Sequence, residues 1–149
     1  MRQMVEPKFL YHLTEERWGK KVKLYPREDG FNRSSDEPDI SRTCVSPDIT
    51  RCFLALPYDN CTYFIYRTIK KTRAYYPTKV IDSAVTREKW LLSPFTFIRI
   101  GIIPGSIINK FPEEKTCRVQ YQYKNLPTIR DILRRYIKKN VLKIPLSIV

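Results

Sequence analysis

The stretch Thr62-Tyr63-Phe64-Ile65-Tyr66-Arg67-Thr68-Ile69 decides how the rest of the chain is read. β-Branched and aromatic residues fill it, and neither glycine nor proline interrupts it, so it predicts a strand. Working towards the N-terminus, Lys8 to Thr14 reads as a second strand beginning just after Pro7, and Val22 to Tyr25 as a short one closed by Pro26. Arg27 to Ser41 is polar, with Gly30, Asn32, two serines and Pro38, and reads as a long loop of the kind that often carries function. Thr43 to Val45 is a short strand. Ser46-Pro47-Asp48 then opens a helix running to about Leu56, with serine at the N-cap, proline at the first helical position and Pro57 at the stop.

Working towards the C-terminus, Lys79 to Ile81, Lys89 to Leu92, Phe95 to Ile103 and the alternating Thr116 to Tyr123 read as further strands. Beyond Asn125 and Pro127, Ile129, Ile132, Leu133, Tyr136 and Ile137 follow the spacing of one buried helical face. The expectation is an α+β single domain over residues 1–149, with a curved or split, mainly antiparallel sheet and a few helices. Residues 105–149 would add a strand and a basic amphipathic C-terminal helix.

The composition restricts the partners. The net charge is +13, more than solubility asks of a small domain, and it predicts attraction to an anionic macromolecule: nucleic acid, an acidic protein or a nucleoprotein complex. Basic residues dominate after Lys110, whereas Glu28 to Asp39 is acidic. Arg130, Arg134, Arg135, Lys138 and Lys139 fall off the apolar stripe of the last helix. They are expected to face water and to meet the anionic partner.

Other classes are disfavoured. Cys44, Cys52, Cys61 and Cys117 form no C-x-x-C pair and His12 is the single histidine, so no structural zinc site and no metal is expected. The N-terminus has no apolar core of a signal peptide, which predicts a cytoplasmic protein with free thiols. The apolar stretch from Trp90 to Ile108 is broken by Pro94, Arg99 and Pro104, so no membrane span is expected. Four glycines cannot build a phosphate-cradling loop, and nothing near His12 resembles a nucleophile elbow.

Several short motifs recur in a familiar order. They are Tyr11-His12-Leu13-Thr14, Leu24-Tyr25-Pro26-Arg27, Thr43-Cys44-Val45-Ser46-Pro47-Asp48-Ile49 running into a helix, the aromatic strand Thr62–Ile69, and Pro94-Phe95-Thr96-Phe97-Ile98-Arg99-Ile100-Gly101. Over residues 8–104 this order resembles the ADP-ribosyltransferase fold, and most closely the small rifampin ADP-ribosyltransferases, which begin with a strand carrying Tyr-His-Gly-Thr. The resemblance implies NAD as a substrate, with Tyr11, His12, Thr14 and Ser46 on the cofactor-binding side and His12 on the adenosine ribose. The family's nicotinamide-stacking tyrosine aligns with Cys44, a departure. Its acidic residue aligns nearest Asp82, with Glu88 as the second candidate.

Those residue types suit the chemistry. Cleaving the nicotinamide–ribose bond develops oxocarbenium character, which a carboxylate stabilises. Arg27 and Arg42 would meet the pyrophosphate, since guanidinium matches phosphate oxygens. The expected function is therefore an NAD-dependent ADP-ribosyltransferase modifying a macromolecular target. The alternative is a catalytically inactive binding protein of the same fold, an inhibitor or nucleic-acid-binding accessory, acting through its basic surface. A third reading is a relative of the RNA 2′-phosphotransferases, which share the fold.

Overall fold

The computed structural model describes residues 1–27, 38–54, 56, 61–78, 80, 83–112, 123–140 and 142–149. Among the described residues there are six strands: β1 (Tyr11–Thr14), β2 (Lys21–Leu24), β3 (Thr43–Val45), β4 (Tyr63–Thr68), β5 (Lys89–Leu91) and β6 (Phe95–Ile103). Four of them form an antiparallel sheet in the order β1-β4-β6-β2. β3 and β5 pair separately, Cys44 opposite Trp90. The protein is a mixed α+β molecule. The expected strands Lys79–Ile81 and Thr116–Tyr123 lie largely or wholly outside the described residues.

β4 sits at the centre because both its faces are apolar. Tyr63 and Ile65 join one core with Tyr11, Phe53, Ile103 and Leu133, while Tyr66 joins a second with Leu10, Val45, Leu91 and Phe97. The register of β4 against β6 shifts between Ile65 and Tyr66, opposite Gly101 and Arg99, a bulge that bends the long strand. At Gly101 a Cβ would come 2.9 Å from Ile144 Cδ1, so the missing side chain lets the C-terminal segment seat on β6.

The helices are α1 (Ile49–Leu54), α2 (Ser83–Thr86), α3 (Gly105–Ile108) and α4 (Leu126–Lys139). α1 is shorter than expected, and its cap is Asp48: Oδ1 accepts from the Arg51 amide at 3.1 Å. Ser46 is not the cap. Its hydroxyl donates to the Thr86 carbonyl at 3.0 Å and accepts from the Asp48 amide. α2 and α3 were not expected, since four-residue helices carry too little periodicity to show in a sequence.

α4 buries Leu126, Ile129, Leu133 and Ile137, with Ile132 and Tyr136 partly covered against the same core. The expectation that its five cations face water is corrected for two of them. Arg130 reaches Asp48 Oδ2 at 3.3 Å, tying α4 to the start of α1. Arg134 donates to the carbonyls of Leu146 and Val149 at 3.2 and 3.0 Å. The physical reason is an acceptor within reach of a long side chain: the Asp48 carboxylate for Arg130, and for Arg134 the backbone oxygens of the segment after Lys139, which folds back onto α4. Arg135, Lys138 and Lys139 are exposed as expected, with Arg135 bridged to Asp131 at 3.0 Å.

Candidate active site

A single backbone junction builds the site. Tyr11 and Ser46 exchange two hydrogen bonds, of 2.9 and 3.0 Å, which fasten β3 across the end of β1. Tyr11 and Leu13 point into the first core, so strand alternation turns His12 to the opposite face. There it meets Cys44 of β3, and Nδ1 of His12 lies 2.8 Å from the Cys44 carbonyl oxygen. A carbonyl only accepts, so Nδ1 carries the proton and neutral His12 presents Nε2 as an acceptor. Burial lowers the His12 pKa. The bond to Cys44 opposes that shift and the charge of Arg27 adds to it. The ring stacks on Trp18 at 5.9 Å and meets the edge of Phe97 at 6.3 Å.

Glu88 enters from the start of β5. Its carboxylate accepts from Trp90 Nε1 at 3.2 Å, and its backbone amide donates to the Thr86 hydroxyl. Burial pushes the Cys44 thiol well above the usual thiol range. The Glu88 charge and a hydrogen bond from the thiol to that carboxylate add to the rise, while Arg42 opposes it. Cys44 is therefore a protonated donor at neutral pH. Cys52, deeper in the same wall, is pushed up to about 12 by burial and by the charge of Asp48. Both thiols are free.

Two hollows meet at this point. One, of about 120 Å³, is lined by Tyr11, His12, Cys44, Ser46, Cys52 and Glu88 among others. The other, of about 170 Å³, is lined by His12, Trp18, Tyr25, Arg27, Arg42 and Cys44 among others. The His12–Cys44 pair is their shared wall. Each hollow is smaller than a usual small-molecule pocket of roughly 300–1,000 Å³. Arg42 is held by its own neighbours: the guanidinium lies 4.2 Å over the Trp90 ring and donates to the carbonyls of Pro38 and Ile40. Arg27 pairs with Arg42 through two backbone bonds.

Of the residues singled out from the sequence, Tyr11, His12, Cys44, Ser46 and Glu88 converge on the first hollow, and Arg27 and Arg42 join His12 and Cys44 at the second. Thr14 does not line either. Its hydroxyl caps the turn after β1 by accepting from the Glu16 amide at 3.0 Å. Asp82 lies outside the described residues. Trp18, Thr86 and Trp90 were not singled out as site residues. Trp18 and Thr86 sit in stretches without a motif, and Trp90 falls within the expected strand Lys89 to Leu92, where it is completely buried.

Among the described residues no group of three or more His, Cys, Asp or Glu side chains could hold a metal ion, and no helix is long and apolar enough to cross a membrane. Compared with protein-family models, with curated proteins and with solved structures, the chain matches none of them.

Proposed function

We propose that the chain is an NAD-dependent ADP-ribosyltransferase that modifies a macromolecular target. The observation that carries this reading is the convergence of His12 from β1 and Glu88 from the head of β5 on one cleft, with Arg27 and Arg42 on its far side. In this reading Nε2 of neutral His12 accepts from a ribose hydroxyl of NAD. Glu88 faces the sugar whose bond to nicotinamide breaks and stabilises the positive charge that develops there. Arg27 would meet the pyrophosphate at the second hollow, Arg42 would add its charge from the wall where Trp90 and the carbonyls of Pro38 and Ile40 hold it, and Trp18 and Tyr25 offer flat apolar faces nearby. Nicotinamide leaves, and the ribosyl carbon passes to a nucleophile of the target.

One observation favours the second reading, a catalytically inactive binding protein of the same architecture. The His12–Cys44 wall divides the cleft into two small hollows, and Cys44 stands where the resembled family stacks nicotinamide on a tyrosine. Incubating the purified chain with NAD and following free nicotinamide separates the two. Turnover that falls by a factor of roughly 30 to 1,000 in Glu88→Gln supports the enzyme, matching the loss of about 2–4 kcal/mol of transition-state stabilisation. A folded wild-type chain that neither releases nicotinamide nor gains thermal stability with NAD favours the binding protein.

A further inference from the structure

A second functional surface lies outside the cleft, on the side of the molecule made by the N-terminal segment. Residues 3 and 8 bridge antiparallel to Tyr75 and Thr72, so residues 2–9 and 67–76 run side by side. At one end of this ribbon a hollow of about 340 Å³ is lined by Lys8, Arg87, Lys89, Tyr76 and a single carboxylate, Glu6, among others. Arg2 adds a fourth cation, its guanidinium 4.2 Å from the centre of the Tyr76 ring, and the Lys89 ammonium lies 4.9 Å from the same centre. Along the ribbon the pattern repeats: Arg67 and Lys71 lie 4.2 and 5.8 Å from the Phe9 ring, and Lys70 and Arg73 are exposed beside them.

Like charges held this close repel, and Glu6 and Glu88 offset only part of that charge. Among the described residues neither Lys8 nor Arg87 has a carboxylate partner, and the Lys89 ammonium bonds only to the carbonyls of Arg87 and Glu88. Burial lowers the Lys89 pKa, and the charges of Arg87, Lys8 and Arg2 lower it further against the pull of Glu88. The turn that presents Arg87 is itself costly, since Arg87 has a φ of 55°, in the left-handed region that disfavours a residue with a Cβ. A fold that gathers four cations around a left-handed turn, with Glu6 as the one carboxylate lining the hollow, is complementary to an anion.

We propose that this ribbon, from Arg87 and Lys89 through Arg2 and Lys8 to Lys71 and Arg73, binds the phosphate backbone of nucleic acid without reading its sequence. The length of the tract favours a polyanion over a single phosphate. Cations lie against the Tyr76 and Phe9 rings, which directs recognition to phosphates and away from base stacking. The proposal stands whether or not the cleft turns over NAD, and binding is measured with NAD left out.

The test titrates the full chain into a labelled oligothymidylate of about 20 nucleotides. A polyglutamate peptide of equal charge serves as the comparison. Affinity for the oligonucleotide is expected to fall steeply with salt. Reversing Lys8 and Lys89 to glutamate is expected to weaken it roughly tenfold or more and to flatten the logarithmic salt slope by about 0.7 for each phosphate no longer neutralised. Arg87→Gly removes a cation where glycine is the better backbone fit, so it should weaken binding while thermal stability holds or rises. The proposal is overturned if the folded chain does not bind the oligonucleotide. It is equally overturned if polyglutamate binds as tightly through the same residues, which would make the partner an acidic protein. Binding that survives Arg87→Gly and the Lys8/Lys89 reversal but is lost on reversing Arg135, Lys138 and Lys139 would place the partner on α4 and sink the ribbon as well.

Discussion

The imidazole of His12 and the backbone of Cys44 share a hydrogen bond of 2.8 Å that spans the two sheets and forms the wall between the two hollows of the cleft. It adds a side-chain tie to the backbone bonds between Tyr11 and Ser46 that seat β3 on β1. The bond needs a proton on Nδ1 only, and the apolar ring stack around it disfavours a second proton.

Stability should therefore depend on pH through His12. Its folded pKa lies below the ordinary value of 6.5, so the unfolded chain binds the extra proton more readily. The stabilisation is complete above about pH 6.5 and is lost as pH falls below it towards the folded value, with a slope of at most about 1.4 kcal/mol per pH unit. Urea melts of wild type and His12→Gln between about pH 7.5 and 5.5 check this. The wild type should lose stability over that range, and the difference between the two proteins should shrink as the pH drops. A difference that stays constant across the range would show that His12 does not titrate with folding.

Glu88 should control the reactivity of Cys44 independently of any enzymatic turnover. The carboxylate raises the thiol pKa by charge and by accepting its proton, so Glu88→Gln should increase the thiolate fraction. Peptide-level mass spectrometry of iodoacetamide labelling should show Cys44 modified roughly threefold to tenfold faster in that variant. Arg42→Met should act in the opposite direction, because it removes the cation that favours the thiolate. Unchanged Cys44 labelling in both variants would mean that the three side chains do not share one electrostatic environment.

The cations of α4 should divide into two energetic groups. Asp48→Ala removes both the cap of α1 and the partner of Arg130, and should cost about 1–2 kcal/mol, whereas Asp48→Asn keeps a capping oxygen and should cost less. Arg134→Ala leaves two carbonyls without their donor and should cost about 1–2 kcal/mol, or a drop of roughly 2–8 °C in melting temperature. Arg135→Ala removes an ion pair whose arginine side chain is 79% exposed and should stay within about 0.5 kcal/mol. Equal melting temperatures for the Arg134 and Arg135 variants would contradict the fold-back of the C-terminal segment onto α4.

Local pattern was enough for the α+β class, for the aromatic centre strand, for the nine-residue strand Phe95–Ile103 and for the buried stripe of α4, because each is a repeat in the sequence that one packed face enforces. The same holds for His12, which alternation on a short strand must turn away from Tyr11 and Leu13. Tertiary structure alone decided which partners these residues meet. Nothing local sets Cys44 against His12, because 32 residues separate them and the junction between Tyr11 and Ser46 is made by backbone atoms that every residue type carries. Nor does anything local tell the cations apart. Arg130, Arg134 and Arg135 look alike on a helical projection, yet Asp48 and the returning C-terminal carbonyls capture the first two and leave the third in water. Charge acts through space, so the order of residues shows how much of it a chain carries, and only the folded chain shows which charges find a counter-group and which are left to meet a partner.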